Sequence, residues 1–413
     1  MWLEEAPCVT YKHPRGSKDG GFGCPQARIE GEDVNGSSTR TLLSRMRFDL
    51  RFGIFFCCLL GLGFAQAPQP KRTLYDETLA RKLLNLASGA YAVSPQGCIN
   101  RTFPVQARYR EYTSANLLCD PYDNSCAFYT VVSDIRREII IVFRGTKTKS
   151  QLFMEGLESD DLIQFYGHGK VNKYFFRALN TMYDNVDKAL TDPQLKDYQV
   201  TFTGHSLGGA LASIAALRCV LDGRRASNQV KLVTFGQPRV GNVDFAMKHD
   251  ELVPYSFRVV HRLDIVPHLP ACKKVRDRRN RRDDSKPCNP NSKKKAYHHG
   301  TEIWYPYGMA EGAQYFECLG EPKNEDFDCS DSLSFEFSKY DTYISDHRHY
   351  FGHRVPSFGK LGCDPHNPLE ETMDIDAPLP PSAADLLTTT EEPHALRRFA
   401  NKLQSVGRVI GIQ

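Results

Sequence analysis

The sequence predicts an α/β fold with a mostly parallel central sheet flanked by helices, and three observations lead to this class. Apolar runs of strand length alternate with helical patterns, which is the order that a parallel sheet requires. Residues 138–143 read Glu-Ile-Ile-Ile-Val-Phe, which is typical of a strand buried on both faces. The 413 residues are 41% hydrophobic and 25% charged, which excludes a collagen, a disordered chain and a multi-span membrane protein.

The individual elements follow from local periodicity and from the turn residues between them. Leucines at helical spacing indicate the first helix, and an apolar segment behind Gly204 indicates the last one. The predicted helices cover residues 74–91, 171–190 and 207–221. The predicted strands cover residues 127–132, 138–143, 199–203, 231–235 and 257–261. We therefore expect a single globular domain spanning about residues 70–363.

The segment before this domain has the pattern of a secretory signal peptide. Residues 46–51 are basic, residues 52–64 form an apolar run, and Ala65-Gln-Ala67 is a small-x-small exit. The apolar run is shorter than the roughly 20 residues that a bilayer-spanning helix needs. We expect residues 46–67 to be cleaved and residues 1–45 to be an alternative or mispredicted start. A short membrane anchor behind a cytosolic tail is the alternative.

Cysteine usage favours an oxidising, extracellular compartment. Four of the thirteen cysteines lie in residues 1–67, and Cys219 lies in an apolar helical run that suggests a buried thiol. The other eight can pair in 105 ways. Proximity in sequence suggests Cys119–Cys126, Cys272–Cys288 and Cys318–Cys329, which leaves Cys98–Cys363. Asn100-Arg-Thr102 is a glycosylation sequon, as expected of a secreted protein.

Two segments depart from the composition of the domain. Residues 272–297 contain eleven Lys or Arg and three Asp, whereas the whole chain has a net charge of only +4, which gives no general case for nucleic-acid binding. This basic loop could attract an anionic lipid surface, could be a solvated loop, or could be processed at the dibasic residues 276–279. Residues 364–413 read as a disordered acidic, proline-rich tail that ends in a short amphipathic helix.

The strongest chemical signal is Gly204-His-Ser-Leu-Gly-Gly209, which follows a strand pattern and opens a helix pattern. Strand, tight turn and helix around Gly-x-Ser-x-Gly form a nucleophile elbow, which presents the serine hydroxyl above the sheet. Ser206 is therefore the candidate nucleophile, and the N–H of Leu207, the residue after it, is a candidate oxyanion donor.

A serine nucleophile needs a base, and the base needs an orienting acid. Asp264 immediately follows a predicted strand, whose carboxyl end faces the same edge as the elbow. Near the end of the domain, His347 lies in a predicted loop, with His349 and His353 close by. Spacing alone does not choose among these three histidines.

Six motifs in order resemble the class 3, fungal-type lipases of the α/β-hydrolase fold, across about residues 70–363. They are Val142-Phe-Arg-Gly-Thr146, Gly204-His-Ser-Leu-Gly-Gly209, Thr234-Phe-Gly-Gln-Pro-Arg-Val-Gly-Asn242, Asp264-Ile-Val-Pro-His-Leu-Pro270, His299-Gly-Thr-Glu-Ile-Trp-Tyr305 and Asp346-His-Arg-His-Tyr-Phe351. The resemblance implies a triad of Ser206, Asp264 and His347, with Thr146 as an oxyanion-hole residue. It also implies the disulfides Cys98–Cys363, Cys119–Cys126 and Cys318–Cys329.

The resemblance further implies a secreted hydrolase of lipid esters, most simply a triacylglycerol lipase that acts without a metal or cofactor. Phospholipase A1-type or feruloyl-type esterase activity, or a catalytically idle lipid-binding homologue, are the alternatives. In this family the stretch after the oxyanion residue forms a lid, here residues 147–158. Leu152, Phe153 and Leu157 would form its apolar face, although an ordinary packed surface helix has the same pattern.

Overall fold

The structure is a computed structural model that describes residues 73–119, 125–145, 161–275, 286–367 and 370. Several predictions concern residues outside these ranges. They are the N-terminal extension 1–45, the signal peptide 46–67, Thr146, the lid 147–158 with Leu152, Phe153 and Leu157, residues 276–285 of the basic loop, and the tail from residue 371.

The described residues form twelve strands. In chain order these are β1 (Arg110–Leu118), β2 (Ser125–Ser133), β3 (Glu138–Phe143), β4 (Leu162–Gln164), β5 (Lys170–Asn172), β6 (Gln199–His205), β7 (Val230–Phe235), β8 (Tyr255–His261), β9 (Thr301–Tyr305), β10 (Phe316–Cys318), β11 (His349–Tyr350) and β12 (His353–Arg354). Eight of them make one sheet in the order β1-β2-β3-β6-β7-β8-β9-β10. The five from β3 to β9 run parallel, and antiparallel strands complete both edges.

Helices cover both faces of this sheet. They are α1 (Glu77–Gly89), α2 (Gln96–Thr102), α3 (Lys173–Thr191), α4 (Leu207–Leu221), α5 (Val243–Leu252), α6 (Tyr340–Arg348) and α7 (Val355–Lys360). Side chains of α3 and α4 belong to one core, and those of α1 to another. Among the described residues, no helix is long and apolar enough to cross a membrane.

Strand β3 shows why a continuous apolar run was needed in the middle of the sheet. Ile139, Ile141 and Phe143 pack into the core that contains α3 and α4. Ile140 and Val142 point the other way, into the core that contains α1. Successive side chains of a strand leave on opposite faces, so a strand covered by helices on both sides has no polar face. The predicted α/β class with a mostly parallel sheet is confirmed.

Element boundaries agree with the periodicity where the pattern is strong. β3 and α4 have the predicted bounds. The predicted helix over 171–190 begins later, because residues 170–172 pair with β4 as strand β5. Asn172 then caps α3, since its side chain accepts hydrogen bonds from the N–H groups of Tyr174 and Phe175. The strand patterns of β1, β9 and β10 and the short helices α5 and α6 were too weak to predict.

Within the described ranges there are four disulfides, and they join the pairs named from the sequence. They are Cys98–Cys363, Cys119–Cys126, Cys272–Cys288 and Cys318–Cys329. The first connects α2 to the segment after α7 across a sequence separation of 265 residues. Closing so long a loop restricts the unfolded chain strongly. Cys219 is a free, buried thiol in α4.

The start of the basic loop is held against the domain by a cluster of buried charges. Arg239, after β7, makes ion pairs with Glu325 at 2.7 Å and Asp331 at 3.2 Å. Lys274 reaches the same Asp331 at 3.0 Å, beside the Cys272–Cys288 disulfide. Because buried charges are stable only when paired, this cluster fixes the start of the loop, and the Cys272–Cys288 disulfide joins the returning chain to it.

Candidate active site

Ser206 stands at a sharp bend between β6 and α4. Its φ is 61° and its ψ is −130°, a conformation that is costly for any residue with a side chain. Its N–H donates to the carbonyl of Phe235 at 2.8 Å, which ties the bend to the neighbouring strand β7. A Cβ atom at Gly208 would lie 2.2 Å from the carbonyl oxygen of Phe143, so glycine is required for helix and strand to approach this closely.

The structure brings Ser206, His347 and Asp264 together. The Ser206 hydroxyl lies 2.8 Å from Nε2 of His347. Nδ1 of His347 lies 3.0 Å from each carboxylate oxygen of Asp264. All three residues are buried. The two contacts join positions that are 141 and 83 residues apart in the chain, so they depend wholly on the tertiary fold.

The hydrogen bonds also distinguish His347 from His349 and His353. Nδ1 of His349 lies 2.7 Å from the carbonyl of Ser345 and is exposed. Nδ1 of His353 lies 3.2 Å from the carboxylate of Glu370. Only His347 has hydrogen bonds to both Ser206 and Asp264. The prediction that His347 lies in a loop was wrong, because the polar run around it forms the last turn of α6.

Asp264 accepts hydrogen bonds from more than the imidazole. Its Oδ1 accepts from the N–H of Val266 at 2.9 Å, and its Oδ2 accepts from the hydroxyl of Tyr350 at 2.6 Å. Burial and the nearby Asp264 charge raise the pKa of Tyr350 well above its usual range, so this phenol stays a donor. Tyr350 belongs to the motif that contains His347, but the sequence alone indicated no role for it.

The surroundings of the elbow offer donors for a negatively charged oxygen. Leu207 is the first residue of α4, so its N–H has no acceptor within the helix, and the helix dipole adds positive potential there. Gly145, the last described residue before Thr146, lies against the elbow: a Cβ atom on it would be 2.8 Å from the carbonyl oxygen of His205. The oxyanion role of Thr146 remains a prediction.

His205, which directly precedes Ser206, is a buried residue for which the sequence indicated no role. Its Nε2 lies 2.8 Å from the carbonyl oxygen of His347, and its Nδ1 lies 3.0 Å from the hydroxyl of Tyr91. Burial, with a smaller contribution from the charge of His347, lowers the pKa of His205 to about 3. His205 is therefore neutral at physiological pH.

Two groups of acidic and sulfur side chains in the described residues are close enough to consider as metal ligands. They are Cys272, Cys288 and Asp331, and Glu302, Cys318 and Cys329. In each group the two sulfurs are bonded to each other, so neither group offers a thiolate while its disulfide persists.

Gly236→Ala is expected to disturb this site. A Cβ atom at Gly236 would lie 2.7 Å from Oδ2 of Asp264 and 2.9 Å from Nδ1 of His347, at a φ of +56°. Because displacing catalytic groups by about 1 Å can cost about 100-fold in rate, we expect kcat to fall by about that factor. Ester hydrolysis by the purified variant is the measurement.

Gly223→Ala is the matched control for this variant. Gly223 also has a positive φ, +68°, but nothing lies within 4 Å of its added Cβ. It therefore reports the backbone strain alone. Equal kcat values for the two variants would contradict the proposed displacement of Asp264 and His347.

Comparisons with known proteins identify related sequences and structures. A sequence model of the family described as Lipase (class 3) matches residues 140–274. The Caenorhabditis elegans protein named Lipase ZK262.3 is 46% identical over 323 residues, which are 77% of this chain and 91% of that protein.

Solved structures share the fold. The Rhizomucor miehei lipase in its propeptide complex superposes with a TM-score of 0.52 at 24% identity, over 69% of this chain and 83% of that one. A fungal lipase–inhibitor complex, described as a model for interfacial activation in lipases, superposes with a TM-score of 0.51 at 25% identity, over 68% of this chain and 96% of that one.

Proposed function

The chain belongs to the class 3 lipase family and is a carboxylic ester hydrolase, and from this premise we propose that it is a secreted serine hydrolase of lipid esters. Triacylglycerols are the proposed principal substrates, cleaved through an acyl-enzyme on Ser206. The observation that carries the proposal is the hydrogen-bonded series Ser206–His347–Asp264, with contacts of 2.8 and 3.0 Å.

In the proposed first step, Nε2 of His347 takes the Ser206 proton while the hydroxyl oxygen attacks the ester carbonyl. Asp264 accepts the hydrogen bond from Nδ1, which selects the tautomer whose Nε2 has a free lone pair. The negative carboxylate also stabilises the imidazolium that forms. His347 then returns its proton to the leaving alcohol, and the acyl group stays on Ser206.

The tetrahedral intermediate needs donors for its oxyanion. We assign this role to the N–H of Leu207 at the start of α4, together with the backbone N–H and hydroxyl of Thr146. Loss of one such donor typically costs about 3 to 4 kcal/mol of transition-state stabilisation. A water molecule, activated by His347 in the same way, then hydrolyses the acyl-enzyme and restores the free serine.

A covalent organophosphate probe tests the proposal directly. It is expected to label the wild-type chain and not Ser206→Ala, because phosphonylation needs the activated hydroxyl. An unlabelled wild type would favour the idle lipid-binding homologue. A panel of triacylglycerol, phospholipid and feruloyl ester then identifies the substrate. Preference for phospholipid or feruloyl ester would replace the triacylglycerol assignment with the phospholipase A1-type or the feruloyl-type reaction.

Action at a lipid–water interface is supported by the amphipathic pattern of the proposed lid, residues 147–158. The fungal structure with a TM-score of 0.51 is described in terms of interfacial activation. We expect the hydrolysis rate of a short-chain ester to rise sharply once its concentration exceeds its solubility. Rates measured with Ser206→Ala give the background. A hydrolysis rate that simply saturates with ester concentration, with no rise at the solubility limit, would contradict the proposed lid.

The basic loop 272–297 is proposed to strengthen binding of the enzyme to lipid surfaces that are anionic. Apart from Lys274, which is paired with Asp331, and the buried Lys286, nine of the eleven basic side chains of this loop attract acidic headgroups over about one Debye length, roughly 8 to 10 Å. In the same interfacial assay, emulsions that contain an anionic lipid should therefore be hydrolysed faster than neutral ones.

Secretion is supported by three features of the chain. Residues 46–67 have the pattern of a signal peptide. Four disulfides are typical of an oxidising compartment. The sequon residue Asn100 is exposed on α2, where a glycan could be attached. We accordingly propose an extracellular glycoprotein.

A further inference from the structure

The helix that carries His347 ends among side chains from two strands of the sheet. The last carbonyl groups of any helix have no partner within it. At the end of α6, the carbonyl oxygen of His347 lies 2.8 Å from Nε2 of His205. The carbonyl oxygen of Asp346 lies 3.1 Å from Nδ1 of His261. Both contacts are buried. The His205 imidazole gives the His347 carbonyl a partner in place of water, and the His261 imidazole adds a second partner to the Asp346 carbonyl, which also accepts from the N–H of His349.

The partners of His205 define its tautomer. A carbonyl oxygen can only accept, so Nε2 of His205 carries the proton. Nδ1 then has a lone pair and accepts from the Tyr91 hydroxyl at 3.0 Å. The Tyr91 hydroxyl packs against Gly145, the residue before Thr146. One series of hydrogen bonds thus runs from Tyr91, through His205, to the backbone of His347.

The two imidazoles come from the strand ends that carry the rest of the triad. His205 is the last residue of β6 and directly precedes Ser206. His261 is the last residue of β8, three positions before Asp264. The ring of His205 also stacks on that of His347, with centroids 4.7 Å apart and planes at 28°. Each strand end therefore supplies one triad residue and one contact to α6.

We propose that His205 and His261 are positioning residues, whose imidazoles hold the end of α6 so that His347 faces Ser206 and Asp264 at once. His205 has the larger effect because it binds the carbonyl of His347 itself and stacks on its ring. The inference rests on the proposed function, since it concerns the efficiency of the same triad.

The test replaces His205 by Phe and by Gln. Phenylalanine keeps a ring for stacking and removes both hydrogen bonds, so kcat on a soluble ester should fall by about 10- to 100-fold, with KM within about twofold. Glutamine can place an amide N–H near the position of Nε2 and keep an acceptor for Tyr91, so it should recover most of this loss. His261→Phe should lower kcat by a smaller factor in the same way.

His249→Phe is the matched control. His249 is also a fully buried imidazole, in α5, and it packs against His299 rather than against the triad. Its loss should lower the urea midpoint of unfolding without lowering kcat. The kcat values are corrected for the fraction of enzyme that the organophosphate probe labels, so that misfolded protein does not count.

Three results would overturn the inference. They are a kcat of His205→Phe within twofold of the wild type, a glutamine variant no better than the phenylalanine variant, and an equal loss of kcat in His249→Phe. A wild type that the probe does not label would instead overturn the proposed function. The two failures are therefore distinguishable.

Discussion

Replacing Ser206 by Ala is expected to lower kcat for ester hydrolysis by about 10⁴- to 10⁶-fold. The hydroxyl is the only group at the elbow that His347 can deprotonate, at 2.8 Å from its Nε2, so no acyl-enzyme can form without it. Residual hydrolysis would come from substrate binding and oxyanion stabilisation alone. The measurement is the rate of ester hydrolysis, together with labelling by the organophosphate probe.

Ser213→Ala provides the matched control for this result. Ser213 is a buried serine in α4, the helix that begins directly after Ser206, and its hydroxyl donates to the carbonyl of Ala210 at 2.9 Å. Its replacement also removes a buried serine hydroxyl but should leave kcat within about twofold, because it affects only local stability. A Ser206→Ala variant that retains more than about one hundredth of the wild-type kcat would contradict the assignment of the nucleophile.

Asp264→Asn is expected to lower kcat by about 10⁴-fold through the tautomer of His347. Both carboxylate oxygens already accept hydrogen bonds, Oδ1 from the N–H of Val266 and Oδ2 from the hydroxyl of Tyr350. An amide has only one acceptor oxygen, so its NH₂ must face a donor or the imidazole. An amide N–H facing Nδ1 of His347 would place the proton on Nε2, where it blocks deprotonation of Ser206. The measurement is the pH profile of kcat/KM for the wild type and for Asp264→Asn, which shows how the replacement alters the action of His347 as a base.

Tyr350→Phe separates this effect from the loss of a single hydrogen bond. It removes one donor to Asp264 and leaves the carboxylate charge and the other hydrogen bonds in place. We expect it to cost about 10-fold in kcat, equivalent to about 1.4 kcal/mol, which is the size of one hydrogen bond to a charged group. If Asp264→Asn lost no more activity than Tyr350→Phe, the orienting role of Asp264 would be refuted.

The local pattern of apolar residues and glycines was sufficient to predict much of the fold. The apolar run 138–143 predicted a strand buried on both faces, and the glycines around Ser206 predicted a strand, a bend and a helix. These predictions succeeded because they depend on neighbours in sequence: alternation along a strand, spacing along a helix, and the steric demands of a tight turn. The same reasoning placed Asp264 at a strand end, near the elbow.

Spacing alone did not choose among the three histidines, and the choice of His347 came from the family resemblance. In the folded chain the packing of α6 against the ends of β6 and β8 turns His347 toward Ser206, whereas His349 and His353 have other partners. The roles of Tyr350 and His205 also depended on the fold, because each contacts a residue more than 80 positions away. Local pattern therefore determined the class of fold, the nucleophile and its acid, and the family resemblance indicated the base. Tertiary structure decided which side chains surround the triad, since contacts across the sheet depend on strand order, which local periodicity does not encode.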